Sequence, residues 1–134
     1  MDDDLRRKLA GLPLFAGLDD GALAAVARHV AEVEAPAGQV LLEIGQPGTG
    51  MFVLEEGEFE VQLPSGSTVV LGPGEFAGEL ALLTDEPHVA RVRAKTNVRC
   101  LAIARRDFSE LLDEQPRIAV AMLPVLARRL AGSL

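Results

Sequence analysis

The stretch Leu71-Gly72-Pro73-Gly74-Glu75-Phe76-Ala77-Gly78-Glu79-Leu80-Ala81-Leu82-Leu83, followed after a short loop by Pro87-His88-Val89-Ala90-Arg91-Val92, decides how this chain is read. Its glycines let the backbone turn tightly and come close to a ligand. From Glu79 to Leu83 the pattern starts a short helical turn. The free N–H groups at such a start attract an anion, and the local dipole adds to the attraction. Glu79 directly follows Gly78 and is expected to aim into the same concavity. Its carboxylate repels a phosphate but accepts hydrogen bonds from a sugar hydroxyl. A glycine loop with one acid therefore suits a ligand that carries both a phosphate and a ribose. Taken alone, the same residues also describe a plain glycine turn with a solvated glutamate.

Outward from this stretch, residues 33–103 are punctuated by Gly and Pro at short intervals, from Pro36 and Gly38 through Gly57 and Pro64 to Pro87. Between them lie β-type runs at 39–42, 51–55, 58–63, 68–71, 90–94 and 98–104. Short strands with turn signals at near-regular spacing suggest an antiparallel roll, sandwich or barrel. The run 58–63 alternates polar and apolar residues as a half-buried strand does, and Pro64-Ser65-Gly66-Ser67 reads as its hairpin loop.

Helical patterns flank this region. Residues 18–30 carry Leu23, Val26, Ala27 and Val30 at helical spacing, with Asp19 or Asp20 to cap the start. The apolar 12–16 segment before it contains Pro13 and reads as a turn that packs. Residues 106–112 read as a short helix ended by Gln115-Pro116, and 117–130 as a longer one. That last helix has two apolar stripes, Ile118, Met122, Val125 and Leu126 on one and Leu123, Ala127 and Leu130 on the other, a wider face than one core contact needs. Pro124 within it is expected to kink or weaken a turn. The fold expected is mainly β with flanking helices: an antiparallel β-roll of the double-stranded β-helix or jelly-roll kind. It forms one domain over 1–134, divided into an N-terminal helical segment (1–32), a β-roll (33–104) and C-terminal helices (105–134).

Composition narrows the function classes. At 134 residues, one domain can bury roughly two thirds of its unfolded surface. The net charge of −7, with five Phe and neither Trp nor Tyr, argues against direct nucleic-acid binding, which needs positive charge and stacking rings. The single cysteine, Cys100, excludes an internal disulfide and a cysteine-cluster metal site, and fits a reducing cytoplasm. It sits in an apolar run and reads as a core thiol. No apolar run of about 18 residues is present, so no membrane span is expected. Residues 1–8 are charged and do not resemble a secretion signal. His29 reads as a surface or capping residue, and two distant histidines do not make a metal site, so no metal and no cofactor is expected. Asp85-Glu86 reads as a solvated loop. Arg105-Arg106 is too small for a nucleic-acid patch, and Arg128-Arg129 suits the C-terminal end of a helix dipole. No catalytic constellation stands out, so the chain reads as no enzyme.

Taken in order, these residues resemble the cyclic nucleotide-binding domain family, the sensor of catabolite-activator-type regulators, cyclic-nucleotide-dependent kinases and gated channels. Leu14-Phe15 with the following helix resembles the family's opening, and Pro36-Ala37-Gly38-Gln39-Val40-Leu41 its first strand. Gly45-Gln46-Pro47-Gly48 with Met51-Phe52-Val53-Leu54-Glu55-Glu56-Gly57 resembles its next turn and strand, and residues 76–83 its phosphate-binding cassette. The resemblance implies a β-roll that holds cyclic AMP or cyclic GMP, with a C-terminal helix that closes over the ligand or forms a homodimer. It implies ligand contacts at Gly78, Glu79, Leu80, Ala81, His88, Val89 and Ala90, with Glu79 accepting the ribose hydroxyl and the amides of Leu80 and Ala81 facing the phosphate.

The chain departs from that pattern at the phosphate. The family's binders place Arg where His88 stands and a small residue where Val89 stands. Histidine is shorter, lacks the planar fork and is mostly neutral at pH 7. Arg91 lies three residues on, an odd number, so a strand points it to the opposite face, with Arg93 and Lys95. Two functions follow. One is a non-catalytic regulatory sensor that takes a small nucleotide. The other is a degenerate fold that acts by dimerisation or protein contact. In regulators of this family the long helix leads on to a DNA-binding domain, so either an output domain is missing here or a separate effector protein is the output.

Overall fold

The computed structural model describes residues 3–133; residues 1, 2 and 134 lie outside it. Among the described residues, eight strands form two four-stranded antiparallel sheets, and five α-helices flank them. The strands are β1 (Ala31–Ala35), β2 (Val40–Leu42), β3 (Gly50–Glu56), β4 (Phe59–Gln62), β5 (Thr68–Leu71), β6 (Phe76–Ala77), β7 (Arg91–Ala94) and β8 (Val98–Ala104). One sheet has the order β1-β8-β3-β6 and the other β2-β7-β4-β5. This is the antiparallel β-roll with flanking helices that the punctuation of the sequence implied.

The central strands of the first sheet, β3 and β8, are buried on both faces, and their residues divide by strand period. Met51, Val53, Leu101 and Ile103 face the helices, where they meet Phe15, Val26, Phe108, Ile118 and Met122. Leu54, Val98 and Cys100 face the second sheet and meet Phe59, Leu71, Val92 and Ala94. Burial on both faces is why 98–104 reads as a nearly continuous apolar run. Burial also pushes the Cys100 thiol up to about 11, as suits an inert core cysteine.

In the second sheet the row Leu42, Val92, Val61, Val69 crosses the inner face. Leu42 and Val92 are buried, whereas Val69 is 45% exposed, so this face opens on the β5 side. On the outer face Arg91 pairs with Glu43 at 2.9 Å and Arg93 with Glu60 at 2.8 Å. The β4–β5 hairpin closes as expected, with Gly66 at φ 90°.

The helices are α1 (Asp3–Ala10), α2 (Asp20–Arg28), α3 (Glu79–Thr84), α4 (Arg105–Glu114) and α5 (Pro116–Ser133). Asp19 caps α2, its carboxylate accepting from the Ala22 amide at 2.8 Å. Residues 13–15 form a 3-10 turn with Leu14 and Phe15 buried. None of the described helices is long and apolar enough to cross a membrane.

Three features differ from the sequence reading. Helix α1 is formed by a charged segment in which only Leu5 and Leu9 reach the core; acids in its first turn and bases in its last favour the dipole. The first strand is β1, not the 36–41 segment, and it starts at Ala31, inside the segment assigned to helix (1–32). Its Ala and Glu are poor strand formers, and pairing to β8, with Val33 opposite Cys100, makes it a strand. Finally, α5 continues through Pro124 and uses its two stripes differently. Ile118 and Met122 are core residues at 1% and 2% exposure, whereas Val120, Leu123 and Leu130 are more than 60% exposed.

Candidate functional site

The turn from β6 into α3 is built around Gly78, the N-cap of α3, at φ 95°. A Cβ there would lie 2.8 Å from Leu42 Cδ1 and 3.1 Å from the Gly50 carbonyl oxygen. Conformation and space thus both require glycine. The turn throws Glu79 inward, and Glu79 and His88 are the only buried polar or charged residues among those described.

Glu79 is held from α5. Arg129 Nη1 donates to Glu79 Oε1 and Nη2 donates to the Phe76 carbonyl at 2.6 Å. The guanidinium also lies 4.7 Å from the centre of the Phe76 ring, within cation–π range. Burial pushes the Glu79 carboxyl above the usual carboxylate range; the Arg129 charge and the N–H groups of Glu79 and Leu80 pull the other way. A carboxylate so placed is desolvated and already occupied by an internal cation. Beside the pair opens a cavity of about 390 Å³ lined by Pro13, Pro73, Gly74, Phe76, Val125 and Arg129.

His88 sits in the loop between α3 and β7. Its backbone pairs with the 45–46 turn: its amide donates to Gln46 at 3.0 Å and its carbonyl accepts from Gly45 at 2.9 Å. The side chain is buried and Nε2 has no hydrogen-bond partner. Burial, then the nearby Arg105 charge, lowers its pKa, so the imidazole is neutral at pH 7. Arg105, at the start of α4, donates to the carbonyls of Gly48 at 2.7 Å and Ala81 at 2.9 Å and pairs with Asp85 at 3.2 Å. One guanidinium therefore joins the 45–49 loop, α3 and α4. Gly48 makes room for that packing: a Cβ on it would lie 2.5 Å from Ala81 Cβ.

A glycine-led turn, a buried acid and a two-sheet roll in this order agree with a profile of the family described as "Cyclic nucleotide-binding domain", which matches residues 32–115. The chain belongs to that family. A cyclic nucleotide-gated potassium channel of Mesorhizobium japonicum is 40% identical over 111 residues, covering 83% of this chain and 31% of the channel. The regulatory subunit of a cAMP-independent protein kinase A from Trypanosoma brucei superposes with a TM-score of 0.80 at 26% identity, over 95% of this chain and 44% of that one. A mutant of that subunit bound to cAMP carries glutamate to alanine, threonine to arginine and, at the adjacent position, valine to alanine; it superposes at 0.77 with 26% identity, over 95% of this chain and 46% of that one. This domain thus spans about a third of that channel and under half of that regulatory subunit.

Within the domain, the expected site residues fall into two settings. Gly78, Glu79 and Ala81 are packed; Leu80 and Val89 are exposed at 47% and 52%, and Ala90 is half-buried at the entry to β7. Glu79 is held by Arg129 of α5, whereas the His88 backbone pairs with the 45–46 turn and its ring feels the Arg105 charge, so the two buried polar residues have different partners. Arg91 is committed to Glu43 on the outer face, as the strand period requires, and does not replace the missing arginine.

Two residues in this region were not legible as site residues. Arg129 does not serve the helix end, the role its place beside Arg128 suggests; it extends the buried stripe Ile118, Met122, Val125, and a charge on a buried stripe demands a partner. Arg105 stands at a helix N-terminus, where a cation is disfavoured, and that anomaly is its only sequence signal.

Proposed function

We propose that this domain is a non-catalytic regulatory sensor in the cytoplasm that takes a cyclic nucleotide at the α3 turn, with Glu79 accepting the ribose hydroxyl. The observation that supports the reading is the placement of Glu79: a buried carboxylate directly after an obligatory left-handed glycine, in the order of the family's cassette. In this reading the contacts are Gly78, Glu79, Leu80 and Ala81 at the turn and His88, Val89 and Ala90 at the far side.

A second reading, a degenerate site on a working fold, draws support from His88. A neutral imidazole whose buried Nε2 has no hydrogen-bond partner offers no fork for a phosphate. The Trypanosoma brucei subunit is described as cAMP-independent, and its cAMP-bound mutant has gained an arginine followed by an alanine. This chain has His88-Val89 next to each other at its own candidate site. In that reading the domain works through protein contacts, as a homodimer through α5 or with a separate effector.

Calorimetry with cyclic AMP and cyclic GMP separates the readings. The sensor reading expects micromolar binding, weakened at least tenfold in Glu79→Ala, since each tenfold is about 1.4 kcal/mol. The degenerate reading expects no binding in the natural chain and a gain in His88→Arg/Val89→Ala. If that variant is silent and Glu79→Ala changes nothing, the site is misplaced. Lowering the pH to 6 charges His88 less than it would a solvated imidazole, because burial and Arg105 move its titration down.

A further inference from the structure

Away from the cassette, one imidazole is enclosed by three carboxylates. His29, the C-cap of α2, has a side chain only 9% exposed, turned onto one face of α4. Its Nδ1 lies 3.0 Å from Asp107 Oδ1 and 3.8 Å from Glu110 Oε2, and its Nε2 lies 3.3 Å from Glu114 Oε1. The ligand atoms of His29, Asp107 and Glu110 all lie within 4.8 Å of one another.

Hydrogen bonds satisfy both nitrogens of the imidazole, Nδ1 to Asp107 and Nε2 to Glu114. These carboxylates raise its pKa, so a cation at Nδ1 has to displace a proton. What they leave over is Glu110 Oε2. Nδ1 has at most one proton to give, and Asp107 is placed to take it. Glu110 Oε2 faces the same nitrogen at 3.8 Å, too far for a hydrogen bond. Two ligands about 2.1 Å from a zinc ion at the tetrahedral angle lie about 3.4 Å apart, and the observed 3.0 and 3.8 Å bracket that spacing. Glu114 completes the pattern. A carboxylate that accepts the Nε2 proton leaves the lone pair on Nδ1, the arrangement that orients metal-bound histidines. Asp107 and Glu110 are 40% and 45% exposed, so an ion can enter and water can serve as a fourth ligand. Arg106 donates to the other oxygen of Glu110 at 3.0 Å and leaves Oε2 available.

We propose that His29 Nδ1, Asp107 and Glu110 form a site for a zinc-class divalent cation that clamps α2 to α4, with Glu114 as the positioning residue. The nitrogen ligand favours zinc-class ions over magnesium or calcium, which take oxygen. Searching the sequence for a pair of histidines misses this set, because one histidine and two acids at i and i+3 suffice.

The test is calorimetric titration of the full chain with zinc chloride after dialysis against a chelator, with magnesium chloride in parallel. One zinc per chain is expected, little response to magnesium, and a higher unfolding temperature in zinc. His29→Gln and Asp107→Asn should each weaken zinc binding by at least about tenfold. Glu110→Gln, at an exposed position that spares the His29–Asp107 contact, should weaken it without loss of fold. No binding by the natural chain at about 1 mM zinc overturns the proposal, being weaker than about 4 kcal/mol. Equal affinity in the natural chain and all three variants overturns it too.

Discussion

At the scale of single residues, His88 carries a pH signature that can be read without any ligand. Its pKa is lowered first by burial and second by Arg105. Between that lowered value and about 6.5, the unfolded chain binds a proton that the folded chain refuses. Stability therefore falls as pH drops from about 6.5 and levels off below the folded value. His88→Leu removes this term. We expect urea midpoints of the natural protein to decline from pH 7 to pH 5 more steeply than those of His88→Leu. His29 is common to both proteins, so its own titration cancels in the comparison. Equal slopes would mean that the imidazole is solvated when the chain is folded. The residue itself was legible in the sequence as a departure from the family's pattern. Its burial was not, because the 45–46 turn that pairs with its backbone is distant in sequence, and the loop continuing from that turn is held at Gly48 by Arg105, whose partners are all backbone carbonyls or a loop acid.

At the scale of elements, α5 shows what periodicity can and cannot tell. The two apolar stripes were visible, but which stripe meets the core depends on where α4 delivers the chain. The structure buries Ile118 and Met122 and exposes Val120, Leu123 and Leu130. Met122→Ala should therefore cost about 2–4 kcal/mol of folding stability, a cavity effect in a close-packed core. Leu123→Glu should change monomer stability by less than about 0.5 kcal/mol, as exposed substitutions do. The exposed positions 120, 123, 127 and 130 recur at intervals of three, four and three, the spacing of a two-helix seam. Light scattering should thus find a dimer for the natural chain and a monomer for Leu123→Glu; a monomeric natural chain would sink the dimer. Elsewhere the strands at 68–71 and 98–104 are legible to the residue, because their β-branched and apolar runs are bounded by turn residues. Strands β1 and β6 are not, since Ala, Glu and a two-residue run carry no local preference and pairing to β8 and β3 alone defines them.

At the scale of the whole molecule, two arginines connect the α3 turn to the C-terminal helices: Arg105 to the start of α4 and Arg129 from near the end of α5. A ligand can shift such helices only by binding one arrangement better than another. Glu79 supplies the means, because it already has a partner. Its Oε1 holds Arg129, and the N–H groups of Glu79 and Leu80 also act on the carboxylate. A ribose hydroxyl that takes the Glu79 oxygen now held by Arg129 displaces the guanidinium and releases α5 from the Phe76 carbonyl and ring as well. The free energy of breaking these contacts is subtracted from binding. Arg129→Gln should bind cyclic AMP more tightly than the natural chain, by about tenfold for every 1.4 kcal/mol the contacts are worth. In the natural chain, saturating cyclic AMP should speed amide hydrogen exchange in residues 126–133 while slowing it in residues 78–84. If Arg129→Gln binds more weakly and the end of α5 becomes better protected, the arginine stays on Glu79 and becomes part of the ligand's own surroundings. The coupling would then run through Arg105 and α4 alone.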